Sequence, residues 1–268
     1  DLYFVASSKS AGLKLKFKGK DIEVENLENF DFSKPNITFF SAGGKISEQY
    51  VPIAAKQSVV IDNSSFFRMD RDVPLIVPQV NSNDIKNMKK NIIANPNCST
   101  AQLVINLKTL HNLFKIKRVV ISTYQSTAGA GKAPMDELLE QTKLSLENKK
   151  IISKNFTKQI AFNAIPHIDM FVNDGYTKEE IKMVDETKKI LDKNIELTAT
   201  CVRIPVMVAH AESLNIEFEK PFTLEKIREA LNNAEGCKVL DETLLFCRTC
   251  FVCSINSSIG AFPPPETD

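Results

Sequence analysis

Strand-like apolar runs alternate with helical segments through the first third of this 268-residue chain, and no other feature constrains its fold as much. Residues 2–6, 37–40, 59–63 and 92–94 are short runs rich in aliphatic and aromatic side chains, and residues 45–57 read as a helix between two of them. Parallel neighbours in a sheet need a long return connection, which a helix supplies, so the pattern predicts a parallel α/β sheet. Beyond residue 97 the pattern becomes mixed. Leu103, Val104, Leu107, Leu110 and Phe114 fall on one face of a helix. Residues 118–124, 198–202 and 214–218 read as strands, residues 135–146 and 178–191 as helices, and Thr223 as the cap of a helix reaching Leu231. No repeat or low-complexity linker interrupts the chain. The domain boundary is therefore expected near Cys98: residues 1–97, residues 98–240, and a divergent tail over 241–268.

Composition narrows the function classes. Lys and Arg number 34 against 33 Asp and Glu, a net charge of +1, which argues against a nucleic-acid binder. No apolar run approaches the roughly 20 residues that span a bilayer, so no membrane partner is expected. Cys98 and Cys201 stand alone, and Cys237, Cys247, Cys250 and Cys253 crowd the C-terminal stretch. A secreted disulfide scaffold would be shorter and denser in cysteine, so a cytoplasmic setting is expected. The spacing Cys247-x-x-Cys250-x-x-Cys253 invites a metal, but no fourth cysteine or nearby histidine completes the set, and no metal is expected.

Cys98 carries the sharpest chemical signal. It lies in Asn95-Pro96-Asn97-Cys98-Ser99-Thr100, at the predicted start of a helix. The positive end of a helix favours a thiolate and can hold a developing oxyanion, although a solitary cysteine is more often an inert buried thiol. A thiol nucleophile needs a partner base. Of three histidines, His111 falls beside the apolar stripe of the helix and reads as structural, while spacing leaves His167 and His210 both open. Arg203, at a strand end, would suit a substrate carboxylate.

The segment around Cys98 resembles the active-site motif of the aspartate-semialdehyde dehydrogenases. Further resemblances follow in the family's order: Ala6-Ser7-Ser8-Lys9-Ser10-Ala11-Gly12, Val60-Ile61-Asp62-Asn63-Ser64-Ser65, Phe67-Arg68-Met69, Ser122-Thr123-Tyr124-Gln125, Asn163-Ala164-Ile165-Pro166-His167-Ile168-Asp169 and Cys201-Val202-Arg203-Ile204-Pro205-Val206. The likeness covers roughly residues 1–240. It implies an incomplete Rossmann-like dinucleotide-binding domain, then an α+β mixed-sheet domain for catalysis and dimerisation. It implies NADPH-dependent reduction of 4-aspartyl phosphate to aspartate 4-semialdehyde, through a Cys98 thioester, in the pathway to lysine, threonine, methionine and diaminopimelate. By the same likeness His210 is the acid/base group, Gln125 orients the intermediate, and Arg203 grips the substrate carboxylate, with Glu179 beside the site. Arg68 and Lys182 match the phosphate-binding pair, and Lys9, Ser10, Ala128 and Gly129 the NADP contacts. His167 falls in a family motif without a catalytic role, and a homodimer is implied.

The chain also departs from the family. Ala209-His210-Ala211-Glu212 stands where the family has Gly-His-Ser-Glu, and Ala128 replaces a serine, which implies weaker cofactor binding. No glycine-rich phosphate turn of G-x-G-x-x-G type occurs, Asp1 reads as beginning inside the second strand, and the likeness fades after Asp241. Two expectations follow: weak NADPH binding by these 268 residues, and, as the alternative function, a degenerate or split remnant of the enzyme. The motif around Cys98 fits neither glyceraldehyde-phosphate nor N-acetylglutamyl-phosphate dehydrogenases.

Overall fold

The computed structural model of the protein describes residues 1–240. Within them the chain divides into two compact units, residues 1–76 with 82–96, and residues 77–81 with 97 onward. The tail over 241–268, with Cys247, Cys250 and Cys253, lies outside the described residues.

The first unit holds two three-stranded sheets. Strands β4 (Ile37–Phe40), β5 (Val59–Asp62) and β6 (Ile92–Ala94) run parallel in that order, and helix α1 (Gly44–Ala54) makes the return between β4 and β5. This is the parallel pattern expected from the alternating runs. The run at residues 2–6 does not join it. As β1 (Phe4–Ala6) it pairs in parallel with β3 (Lys20–Asn26), which pairs antiparallel with β2 (Lys14–Phe17). The β2–β3 hairpin turns at Lys18 and Gly19, both at positive φ, the combination that two-residue hairpin loops favour. Strict alternation from Leu13 to Glu25, with a Lys-Gly pair in the middle, was the sequence signal for that hairpin.

The second unit is built on a mixed sheet of order β8-β7-β9. Central strand β7 (Ile116–Gln125) pairs in parallel with β8 (Glu196–Arg203) and antiparallel with β9 (Ala211–Phe218). Residues of β7 alternate strictly: Val119, Ile121, Thr123 and Gln125 face inward, while Val120, Ser122 and Tyr124 are on the open face. The inward face meets helices α3 (Cys98–Phe114), α5 (Lys178–Ile190) and α6 (Leu224–Asn232) in one core that includes Leu103, Leu107, Leu110, Met183, Leu214, Ile216 and Ile227. The expected helices and strands all occur here, mostly one to three residues longer than the sequence pattern; α4 (Lys132–Leu146) is among them, and the short helix α2 (Pro78–Asn81) also belongs to this unit.

Local chemistry sets the helix ends near the site. Asn97 caps α3, its Oδ1 accepting the Ser99 and Thr100 N–H groups at 2.9 and 3.3 Å. Thr177 and Glu180 form a reciprocal capping box at the start of α5. The other Glu180 carboxylate oxygen accepts the Cys201 N–H at 3.0 Å, which ties that helix end to β8. At the far end of α3, Lys115 takes φ 57 and turns the chain straight into β7. His111 lies there, its Nδ1 accepting the Ile116 N–H at 3.2 Å and its ring 3.4 Å from Asp192, in keeping with the structural role expected of it. No helix among the described residues is long and apolar enough to cross a membrane.

Candidate active site

Three strand ends and one helix start converge in the second unit. Gln125 ends β7 and Arg203 ends β8, and the two are register partners. His210 immediately precedes β9, and Cys98 opens α3. His210 Nε2 lies 3.2 Å from Cys98 Sγ, although 112 positions separate the two in sequence. The choice that spacing leaves open is therefore made by geometry: His167 instead stacks on Phe171 at 4.4 Å.

The surroundings of the pair are polar and closely connected. The Ser126 N–H donates to His210 Nδ1 at 3.0 Å, and the Ser126 carbonyl accepts Arg203 Nη1 at 2.6 Å. Glu179 is buried, and its Oε1 accepts from Asn97 Nδ2 at 2.9 Å and from Gln125 Nε2 at 3.4 Å. Its Oε2 takes Lys182 Nζ at 3.1 Å, and Lys182 also reaches Asp169 at 2.9 Å. The Asn97 N–H donates to Glu186 at 2.6 Å. One carboxylate thus fixes the α3 cap, the end of β7 and a lysine at once.

Electrostatics run against the expectation that the helix start lowers the thiol pKa. Burial pushes the Cys98 thiol up, and the Glu179 carboxylate adds to the rise; the Ser99 amide opposes both without prevailing. Cys98 nonetheless keeps an exposed side. Burial pulls the His210 imidazole down, and the Arg203 guanidinium pulls it further. A raised thiol and a lowered imidazole favour a neutral pair at rest over a thiolate–imidazolium pair. Burial also lowers Arg203, with Glu179 acting the other way. For Lys182, burial works downward, but the bonds and charges of Asp169 and Glu179 outweigh it and the ammonium stays above its ordinary range.

These causes give a direct test. Glu179→Gln removes the nearest negative charge from the thiol and frees Lys182 from one partner, so the Cys98 pKa should fall. The alkylation rate of the Cys98 peptide, followed by mass spectrometry across pH, should move its midpoint downward; an unchanged profile would show that Glu179 does not set the thiol.

The remaining expected residues take these places. Ala128 and Gly129 sit in a helical turn over Thr127–Ala130, held by Thr127 N–H to Val206 O and Ala128 N–H to Met207 O at 2.9 and 3.1 Å. A β-carbon on Gly129 would stand 3.1 Å from His210 Cε1 and 3.2 Å from Arg203 Nη1, so any larger residue would have to push those side chains by a few tenths of an ångström. Ala209 takes φ 76, a conformation in which alanine costs about 1 kcal/mol more than the glycine usual in the family. In the first unit, Lys9 is exposed and Ser10 half-buried in the turn after β1. Arg68 is buried in that unit, its Nε donating to Asn95 O at 2.9 Å and Nη2 to Asn63 O at 3.1 Å. Sequence reasoning missed Asn97, Ser126 and Glu186 as parts of the site. Asn97 was readable as a helix cap; the other two act through contacts spanning 84 and 89 positions.

Comparison with known proteins agrees with the residue motifs. The family model described as semialdehyde dehydrogenase, NAD binding domain, matches residues 1–88, and that described as semialdehyde dehydrogenase, dimerisation domain, matches 107–248. An aspartate-semialdehyde dehydrogenase of Aquifex aeolicus is 52% identical over 247 residues, covering 90% of this chain and 72% of the relative. One from Helicobacter pylori is 47% identical, covering 89% and 72%. The crystal structure of aspartate semialdehyde dehydrogenase II from Vibrio cholerae, complexed with ASA, superposes with a TM-score of 0.86 at 46% identity, covering 88% of this chain and 71% of that one. None of these comparisons supports the alternative of a degenerate remnant. By sequence, by fold and by these matches, this chain belongs to the aspartate-semialdehyde dehydrogenase family of oxidoreductases.

Proposed function

We propose that the protein reduces 4-aspartyl phosphate to aspartate 4-semialdehyde with NADPH, releasing phosphate, through a thioester on Cys98. The observation that carries this reading is the 3.2 Å contact between an exposed-side thiol at a helix start and an imidazole at a strand end, with Arg203 and Gln125 beside it. Cys98 sulfur would attack the acyl carbon, and the carbon–oxygen bond to phosphate would break with its electron pair on the leaving phosphate. A covalent acyl-enzyme splits a difficult displacement into two easier steps. Arg203 offers a planar fork for the substrate carboxylate, and Gln125, fixed by Glu179, orients the acyl group. Arg68 and Lys182 are the proposed phosphate partners, Lys182 then sharing its charge with Asp169 and Glu179.

NADPH, when bound, would supply the hydride. The residues present fit it. The exposed Lys9 and the half-buried Ser10, in the turn after β1, would receive a phosphate ester, and Ala128 and Gly129 are the further proposed contacts. The name of the matching N-terminal family model supports a nicotinamide dinucleotide. We infer that residues 1–97 form the NADP-binding part and 98–240 the catalytic and dimerisation part, in a cytoplasmic enzyme of the lysine, threonine, methionine and diaminopimelate route.

Acyl transfer tests the function without any hydride. Incubation with 4-aspartyl phosphate should add one aspartyl group to Cys98, seen by peptide mass, and release one equivalent of phosphate. No adduct, or a faster one with N-acetylglutamyl phosphate, would overturn the assignment. Gly129→Ala should displace His210 and Arg203 by a few tenths of an ångström and lower kcat about 10- to 100-fold, measured with NADP-linked turnover.

A homodimer is proposed through the open face of the mixed sheet, where Tyr124 is 41% exposed among Val120, Ser122, Thr200 and Val202. The dimerisation-domain match supports it. Sedimentation should give twice the chain mass at micromolar concentration, and Tyr124→Asp should give the monomer.

A further inference from the structure

We propose that Glu137 and Gln141 are positioning residues for Arg203, and that through it they set the chain length of the acid the site accepts, a four-carbon acyl group over its five-carbon homologue. This deepens the proposed function and rests on its assignment of Arg203 to the substrate carboxylate and Lys182 to the phosphate. Residues 147–170, which lead from α4 towards α5, form neither an α-helix nor a strand. Backbone without a ladder must find its acceptors elsewhere. Two buried side chains of α4 supply them. Glu137 Oε1 accepts the Lys154 N–H at 2.9 Å, and its Oε2 accepts the Asn155 N–H at 2.7 Å and Asn155 Nδ2 at 2.6 Å. One turn on, Gln141 Nε2 donates to Glu137 Oε1 at 2.8 Å, and Gln141 Oε1 accepts the Ile160 and Ala161 N–H groups at 2.8 and 3.2 Å. Burying a carboxylate is costly unless donors surround it, and here they do. Leu138 packs the same stretch against α4 through Ile160, Ala161 and Ile165.

The connection delivers two contacts to the site. Ile165 and Arg203 exchange both backbone hydrogen bonds, at 2.9 and 2.8 Å, on the side of β8 away from β7. Arg203 is thus fixed from both sides, by Gln125 on β7 and by Ile165. Its Nη1 is anchored on the Ser126 carbonyl at 2.6 Å, so a shift of its backbone swings the guanidinium about that point. Four residues beyond Ile165, Asp169 takes φ 67, its Oδ1 accepting the Met170 N–H at 2.8 Å and its Oδ2 taking Lys182 Nζ at 2.9 Å. One connection therefore locates the groups proposed for both anionic ends of the substrate.

A substrate with a carboxylate at one end and an acyl phosphate at the other is measured by where the partners of those ends stand relative to the sulfur. One extra methylene lengthens it by a fixed step, and a site of set spacing discriminates against that step by about 10- to 200-fold. A guanidinium misplaced by about 1 Å would forfeit most of that discrimination.

Alkylation of Cys98 in the full chain provides the test, free of hydride and phosphate. 4-Iodobutyrate and 5-iodopentanoate carry the same reacting carbon and differ by one methylene in its distance from the carboxylate; in the shorter acid that distance matches an aspartyl group. Sulfur displaces iodide from either, and the modified Cys98 peptide is counted by mass spectrometry. After correction for the rates with a free thiol, the wild type should favour the shorter acid by about tenfold or more. Glu137→Gln and Gln141→Met should each bring that ratio below about threefold, while iodoacetamide, which has no carboxylate, should react with Cys98 at about the wild-type rate. In an Arg203→Leu background, Glu137→Gln should change the ratio no further, since it acts through that residue. Ile227→Val loosens the other core without touching the connection, and should lower Tm while keeping the ratio. Should Glu137→Gln not fold, Gln141→Met decides. A wild-type ratio near one, or variants that keep the wild-type ratio, would overturn the proposal. Acyl transfer from 4-aspartyl phosphate is scored separately: its failure while the ratios behave as expected would refute the function alone, and its success with ratios that Glu137 and Gln141 do not move would refute this inference alone.

Discussion

Replacing Cys98 with serine is expected to lower kcat by at least about 10⁴-fold while leaving the fold intact. The side chains are nearly isosteric, so the α3 cap through Asn97 and the bonds of Glu179 should persist. What changes is the atom facing His210 Nε2. A hydroxyl ionises far less readily than a thiol, and in a setting that already pushes the thiol up it would present almost no anion at neutral pH. The loss should appear in acyl transfer as well as in turnover, with no aspartyl group on residue 98 by mass. Turnover within tenfold of wild type would place the nucleophile elsewhere.

The largest expected effect on stability comes from Glu212. Burial on β9 pushes its carboxyl up to about 8, and the neighbouring Gln102 amide offsets only part of that. Its Oε1 has no hydrogen-bond partner among the described residues, and neither has the amide nitrogen of Gln102. The folded carboxyl therefore holds its proton from about 4.5 up to about 8, while the unfolded one has lost it. The unfolded state binds fewer protons over that window, so stability falls as pH rises through it and levels off above about 8. Glu212→Gln removes the ionisation, and its amide can both donate to and accept from Gln102. The variant should match wild type near pH 4 and exceed it by a few kcal/mol near pH 8, a Tm gain of several degrees or more. Parallel Tm curves for the two proteins across pH would overturn this account.

Legibility in the sequence followed the range of the interactions. The parallel strands, α3 and the mixed-sheet strands were readable because periodicity records which face of an element is buried, as in the alternation of β7. Cys98, Gln125, Arg203 and His210 were readable as members of short motifs. Their charges were not. The helix start at Cys98 predicts a low thiol pKa, and only the burial of the site and Glu179, 81 positions away, reverse it. Lys182 reads as a ready cation, yet Asp169 and Glu179 already engage it. The part played by Ser126 leaves no trace in its side-chain identity, because its main chain makes the contact.

The register of the mixed sheet gives the site a discrete on–off character. Gln125 and Arg203 face inward because they share one pleat across β7 and β8. A one-residue slip of β8 would carry Arg203 to the opposite face and leave Val202 or Ile204 in its place. No intermediate setting exists, since the backbone bonds of the ladder re-form only at whole steps. Substitutions that merely loosen the core should therefore change how many molecules are competent, with each competent molecule turning over at the full rate.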